Sequence, residues 1–285
     1  MIRHTVRPAR SQAALDGVPF HRYVFDDGTV WTEFRRSGDG YLLRFPGLAD
    51  FEVSADGAEV VTHPAPGTDD ATIEHLYVNQ LMPLAQSRQG RPSFHASAVT
   101  VPGGAVAFLG KSGMGKSTLA ASYALNEARF LTDDALLIEE SGANCQVLPS
   151  HASLRLWEDS VEALVKDRAA HAAPVNYSSK ARLLAGDALA YSAEPQLLLA
   201  AFVLNATGST EISIRPLNGL DRYMVWLSNS FLLDVEDSAL LARHFDWTHR
   251  ISGCVPTFSL DYPRDYGILP QVRHAVRQHL LGIGN

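Results

Sequence analysis

The sequence predicts an α/β fold: a large domain of alternating strands and helices, preceded by a small β-rich N-terminal domain. Three observations carry this. Residues 19–64 hold short strand-like runs separated by glycine-bearing turns. From Ser93 onward, apolar strand-like runs alternate with helical segments, the pattern of a sheet covered by helices. Between one such strand and one such helix stands a glycine-rich loop, Gly110–Thr118.

In the N-terminal part, His21–Phe25, Thr29–Arg36, Tyr41–Phe45, Phe51–Val53 and Glu59–His63 read as strands. Asp26-Asp27-Gly28, Ser37-Gly38-Asp39-Gly40 and Ala55-Asp56-Gly57 separate them as turns, which predicts an antiparallel meander. The Pro- and Gly-bearing loop 64–70 breaks the pattern. Ile73, Leu76, Tyr77, Leu81 and Leu84 then recur at helical spacing, with Pro83 expected to kink or end the helix. Gln89-Gly90-Arg91-Pro92 closes the segment, so the predicted division is a β-rich lobe with its linking helix, 1–90, and an α/β domain, 91–285.

In that second domain the predicted strands are Ala105–Leu109, Arg129–Leu131, Leu136–Ile138, Leu197–Leu204, Glu211–Arg215 and Val255–Tyr262. The predicted helices begin at Thr118 and cover Glu158–Lys166, Ala239–Phe245 and Gln271–Leu281.

The bulk numbers narrow the classes of function. The 285 residues are 46% hydrophobic and 19% charged, an ordinary globular composition long enough for a real core. The net charge of -7 and the lack of any basic run argue against a nucleic-acid partner. Cys145 and Cys254 belong to no ligand-spaced cluster and read as inert thiols. No apolar run approaches the roughly 18 residues of a membrane span, and the first residues lack the apolar stretch of a signal peptide. The expected location is cytoplasmic, with no membrane partner.

Gly110-Lys111-Ser112-Gly113-Met114-Gly115-Lys116-Ser117-Thr118 matches G-x-x-x-x-G-K-[ST]. Glycines let the backbone aim several N–H groups at one anion, and the following helix turns its positive end to the same phosphates. Lys116 is placed to reach the β- and γ-phosphates, and Ser117 to give a hydroxyl to Mg²⁺. The motif implies a bound nucleoside triphosphate. It reads phosphates and leaves the base undetermined.

Thr132-Asp133-Asp134 follows a short apolar strand. Carboxylates at a strand's carboxyl end can face a metal or an attacking nucleophile, one holding a metal-bound water while the other takes a hydroxyl proton. Adjacent strand residues point to opposite faces, so both converge only if the strand stops there. A solvated turn is the plain alternative.

Phe94-His95-Ala96-Ser97-Ala98-Val99, the glycine-rich loop and Leu131-Thr132-Asp133-Asp134 together resemble the HPr kinase/phosphorylase family, and more closely its smaller bacterial relatives. In that family a histidine precedes the loop lysine by 21 residues and a double aspartate follows it by 17, the separations of His95 and Asp133 from Lys116. The resemblance implies a P-loop kinase domain related to phosphoenolpyruvate carboxykinase, moving a phosphoryl group from ATP to a serine hydroxyl with Mg²⁺. It implies Asp134 or Asp133 as general base, Lys116 and Ser117 on nucleotide and metal with Asp133 beside them, and His95 tuning the aspartates.

The family's later E-I-R-G-L-G segment corresponds to Ser153-Leu154-Arg155-Leu156-Trp157-Glu158. Arg155 takes the arginine's place, but Ser153 stands where a metal-binding glutamate would be, so that metal route and phosphorolysis are not expected. The N-terminal lobe departs from that of the full enzyme, which argues against HPr as substrate. The segments Leu154–Trp157 and Val255-Pro256…Tyr262-Pro263-Arg264-Asp265 look like the smaller relatives. Some of these phosphorylate ribosomally made peptides, including lasso-peptide precursors, and the relatives include homo-oligomers. The expected partner is thus a peptide or protein bearing a serine hydroxyl. The other classes are a kinase of a small hydroxyl metabolite such as serine, and a nucleotide-sensing module without transfer chemistry. Ser178-Ser179-Lys180-Ala181-Arg182 is a basic loop suited to clamping a γ-phosphate, though a solvated loop is the simpler reading. Tyr223 and Trp226, at i, i+3 spacing, read as core.

Overall fold

In the computed structural model, the described residues are all but 1, 26, 151–152, 166–170, 173–180, 185–188, 206–207 and 284–285. They fall into two compact units, one joining residues 2–91 to Phe231–His244 and the other holding the rest. The piece 231–244 therefore leaves the 91–285 segment to which the sequence assigns it.

The first unit is built on β1 (Arg3–Val6), β2 (His21–Val24), β3 (Val30–Ser37), β4 (Gly40–Phe45), β5 (Ala49–Val53) and β6 (Glu59–Pro64). They form one sheet in the order β1-β6-β5-β4-β3-β2. The run from β2 to β6 is the expected antiparallel meander, while β1, not foreseen, adds in parallel to β6. Alternation puts Leu43, Phe45, Phe51 and Val53 on a buried face. Each such large side chain contributes roughly 1.5–3 kcal/mol on burial. Ile73, Leu76, Leu81 and Leu84 cover that face. They come from α1 (Asp70–Leu76), α2 (Met82–Arg88) and the π-helical turn that joins them, Tyr77–Leu81, which holds Leu81. Pro83 does not end the helix. It has no N–H to give the preceding turn, and the wider turn before it takes up the misfit.

The returning piece is held by charge. Asp234 is fully buried and accepts hydrogen bonds from Arg36 Nη1 and Nη2 (2.5 and 3.0 Å), the Tyr41 hydroxyl (2.9 Å) and the Glu236 amide (3.0 Å). Burial alone would raise its pKa; the bonds from Arg36, Tyr41 and Glu236 outweigh that and hold it below the ordinary carboxylate value.

The second unit runs β7 (Ser93–Phe94), β8 (Ala96–Val101), β9 (Gly104–Leu109), α3 (Lys116–Ala124), β10 (Phe130–Thr132), β11 (Leu136–Ser141) and β12 (Asn144–Leu148). It continues with β13 (Ser153–Leu156), α4 (Glu158–Leu164), β14 (His171–Ala172), β15 (Ala181–Leu184), β16 (Gln196–Leu204), β17 (Ser213–Pro216) and α5 (Gly219–Ser228). It ends with α6 (Ser238–Cys254), whose residues divide between the units at His244, then β18 (Thr257–Asp261), a 3₁₀ turn Tyr266–Ile268, and α7 (Leu269–Ile283). A nine-stranded mixed sheet has β16 at its centre, parallel to β9 and β18. β13, β15 and β14 form a separate small sheet.

β9 is buried along its whole length because both faces of the sheet are covered. Val106 and Phe108 join a core with Leu119 of α3 and Val272 and Val276 of α7. Ala105, Ala107 and Leu109 join another with Trp226 of α5 and Ile251 of α6. Several predicted elements lengthen or shift here: the helix expected over 239–245 runs to Cys254, and the strand expected over 129–131 covers 130–132. Among the described residues, no helix is long and apolar enough to cross a membrane.

Replacing Asp234 with alanine should destabilise the first unit by about 2 kcal/mol, because the Tyr41 hydroxyl and the Glu236 amide lose their acceptor while the half-exposed Arg36 can rehydrate. Urea unfolding checks this. With a depressed folded pKa, the Asp234 contribution is present above the unfolded carboxylate value of about 3.9 and disappears as pH falls through the folded one. The wild-type and D234A midpoints should therefore converge in acid.

Candidate functional site

β9 stops at Leu109, and Gly110 leaves it at φ 137°. A β-carbon there would lie 2.6 Å from the Leu204 carbonyl oxygen, so only glycine lets the loop part from the sheet against its neighbour β16. Gly115 at φ 85° then caps α3, with Arg264 Nη1 only 3.2 Å from where its β-carbon would stand. The loop thus lies on the amino end of a helix, the place where backbone N–H groups can converge on an anion. Lys116 is 5% exposed, and its ammonium donates to the carbonyls of Gly110 (2.8 Å) and Lys111 (3.2 Å). The loop itself therefore fixes the cation in its centre.

Sheet topology brings the remaining groups to the same edge. β8 is antiparallel to β9, with Ala96 opposite Leu109, so β8 begins where β9 ends. β10 is antiparallel to β8, so it ends there too. His95 just before β8, Gly110 just after β9 and Asp133 just after β10 consequently share one edge.

The two aspartates differ in surroundings. Asp133 is buried and accepts at Oδ1 from the hydroxyls of Ser97 (2.5 Å) and Ser117 (2.9 Å), and at Oδ2 from the Arg155 amide (3.1 Å). Asp134 has φ 63°, the one positive value at a non-glycine among the described residues. The strand has stopped at Thr132, and this turn lets the second carboxylate point into the loop's pocket rather than to the opposite face. Its Oδ1 lies 3.9 Å from His95 Nδ1 and its Oδ2 lies 3.8 Å from Arg155 Nη1. His95 Nδ1 is also 3.3 Å from the Asp134 carbonyl oxygen.

Among the described residues, the pocket is lined by Ser112, Gly113, Gly115, Lys116, Ser117 and Thr118 of the loop, with His95, Asp134 and Arg155 beside them. Met114 and Lys111 take part through their carbonyls, which accept from Arg264 (2.8 Å) and Lys116. No cluster of three or more His, Cys, Asp or Glu suited to a metal occurs among the described residues. Mg²⁺ on a phosphate loop needs little protein beyond a hydroxyl and a carboxylate, since phosphate oxygens and waters complete its shell. Ser117 and Asp133, in direct contact, fit that requirement. Ser153 is a buried residue of β13.

Several residues here carry no role in the sequence reading. Ser97 sits inside the Phe94–Val99 stretch, but a small polar residue on an apolar strand gives no sign of its partner. Arg264 bridges the Met114 and Asn205 carbonyls (2.8 and 2.6 Å) and stacks 4.7 Å from the Tyr262 ring centre. Trp157, Asp159, Ser160, Tyr262 and Tyr266 also line the pocket. Arg182 belongs to β15, so the expected basic loop ends in a strand, and Ser178, Ser179 and Lys180 lie outside the described residues. Trp226 is core, donating to the Thr257 hydroxyl (3.0 Å), while Tyr223 packs edge-on to His249.

No family model matches this chain, and no curated protein does. Among solved structures, it is similar to the HPr(Ser) kinase/phosphatase from Coxiella burnetii, with 10% identity and a TM-score of 0.34, over 68% of this chain and 99% of that one.

Proposed function

We propose that this chain is an ATP-dependent serine kinase that moves the γ-phosphoryl group onto a hydroxyl of a peptide or protein. The observation that carries the reading is the division between the aspartates. Asp133 is bonded to Ser117 at 2.9 Å, whereas Asp134 is turned by its positive φ into the pocket that holds Lys116. A module that only senses nucleotide has no need of that second carboxylate.

The loop amides hold the phosphates, and the Lys116 ammonium opposes their charge. Mg²⁺, held by Ser117 and Asp133, would supply neutralisation of charge on the phosphate oxygens. The acceptor hydroxyl oxygen bonds to the γ-phosphorus as the bond from that phosphorus to the β–γ bridging oxygen breaks. The hydroxyl proton passes to the Asp134 carboxylate, and ADP departs. Arg155, 3.8 Å from Asp134, orients this base and puts positive charge beside the group in transfer. The acceptor class rests on the sequence resemblance of the stretch from Phe94 to Asp134. A ribosomally made precursor peptide, of the lasso kind, is its narrower form.

The test is transfer from γ-labelled ATP with Mg²⁺ to a serine-containing precursor peptide and to free serine in parallel. Label on the peptide is the expected result. Label on free serine alone makes the chain a metabolite kinase, and binding without label on any acceptor makes it a sensor. Lys116→Ala should lower turnover by about 10²–10³-fold, as loss of a charge-stabilising group does. Unchanged turnover in that variant sinks the phosphate-loop mechanism. Asp134→Asn should lower kcat by about 10²–10⁴-fold while leaving nucleotide affinity within a few fold, since a base acts on the hydroxyl. Parallel losses of affinity and rate would assign Asp134 to the metal instead.

A further inference from the structure

The pocket is lined by two chemically distinct groups of side chains. In one, His95, Asp134 and Arg155 surround the place where transfer would occur. In the other, a chain of hydroxyls leads away from the phosphate loop. Thr118 Oγ1 is 3.0 Å from Ser160 Oγ, Ser160 Oγ is 3.1 Å from the Tyr266 hydroxyl, and that hydroxyl donates to Asp159 Oδ2 at 2.8 Å. Thr118 is the residue after Ser117, one step further into α3 and away from the β- and γ-phosphates that Lys116 serves. The sugar and base must continue from the α-phosphate, on the side opposite the acceptor.

Against that wall stands an anomaly. Trp157 is 48% exposed and lines the pocket. Indoles are seldom left so open in a folded chain, where they bury much of their area against neighbours. It caps the helix α4 whose first turn carries Asp159 and Ser160, Ser160 reaching Thr118 and both reaching Tyr266. A flat apolar face beside a polar wall matches a nucleoside, with a ring system to stack and a sugar to hydrogen-bond.

Resting on the phosphate-loop reading above, we infer that the nucleoside half of the bound nucleotide occupies the part of the pocket lined by Trp157, Ser160 and Tyr266, with the base stacked on the Trp157 indole. Stacking reads the area of a ring and not its edge pattern, so this subsite favours purines over pyrimidines and discriminates weakly between adenine and guanine.

Calorimetric titration of the whole chain with ATP and with inorganic tripolyphosphate, both with Mg²⁺, separates the two halves of the site. Trp157→Ala should bind ATP about 10-fold more weakly, as loss of one base–aromatic stack does, while binding tripolyphosphate as the wild type does. Trp157→Phe should recover most of the ATP affinity. The unchanged tripolyphosphate affinity also reports that the variant is folded. ATP binding by Trp157→Ala equal to wild type overturns the inference and leaves the phosphate loop intact. Equal weakening of ATP and tripolyphosphate also overturns it, since the indole would then only shape the loop. A wild-type chain that binds neither compound removes the phosphate-loop reading itself, and the subsite with it.

Discussion

The site depends on the hydrogen bonds that converge on Asp133. One carboxylate accepts from Ser97 of β8, Ser117 of α3 and the backbone of Arg155 on β13, elements separated by tens of residues. A buried charge of this kind is stable only when its oxygens are satisfied, so each donor is held in register by the cost of leaving the carboxylate bare. Fixing Asp133 fixes the end of β10, and Asp134 must then turn. The left-handed conformation costs roughly 1–2 kcal/mol at a residue with a β-carbon, and aspartate is among the types that tolerate it best. That cost is what aims the second carboxylate at the pocket, between His95 and Arg155.

Much of this was legible in the chain because its signals are local. The phosphate loop needs glycines, lysine and a hydroxyl in one run of nine residues, and its strand and helix lie on either side. The meander of the first unit follows from turns that glycine alone accommodates easily. The acidic pair posed a problem of alternation, and its answer, a strand that stops at Thr132, lay within a residue of where the pattern ended. His95 was found through its spacing from Lys116, since nothing in its immediate neighbours marks it.

What stayed hidden depends on contacts between distant residues. Asp234 meets Arg36 across 198 positions, so the piece 231–244 carries no local mark of the unit it joins. Ser97, Arg264 and Tyr266 have the same difficulty. Each is a polar residue whose role is set by a partner elsewhere, Asp133, Met114 and Ser160 respectively. A periodicity argument places such residues on a face of an element, but cannot say what stands opposite. The parallel pairing of β1 with β6 is hidden for a related reason: fourteen residues separate β1 from the meander, and β1's partner β6 lies more than fifty residues further on.

The parallel register of β9, β16 and β18 accounts for the remaining wall of the site. Val203 stands opposite Leu109, and Leu204 opposite Leu260, so the three strands end side by side. Whatever follows each strand emerges at the same edge, where α/β sheets bind their ligands. After β9 comes the phosphate loop, after β16 comes Asn205, and after β18 come Tyr262 and Arg264. Arg264 can therefore donate to the Asn205 and Met114 carbonyls at once, tying the loop to two neighbouring strand ends. Its guanidinium lies where a β-carbon on Gly115 would press, so the absence of a side chain at that glycine serves the turn and the arginine together. The phosphate loop is thus braced on one flank by Arg264 and on the other by Asp133 through Ser117. The first brace follows from the parallel register of β9, β16 and β18, the second from the antiparallel pairing of β10 with β8.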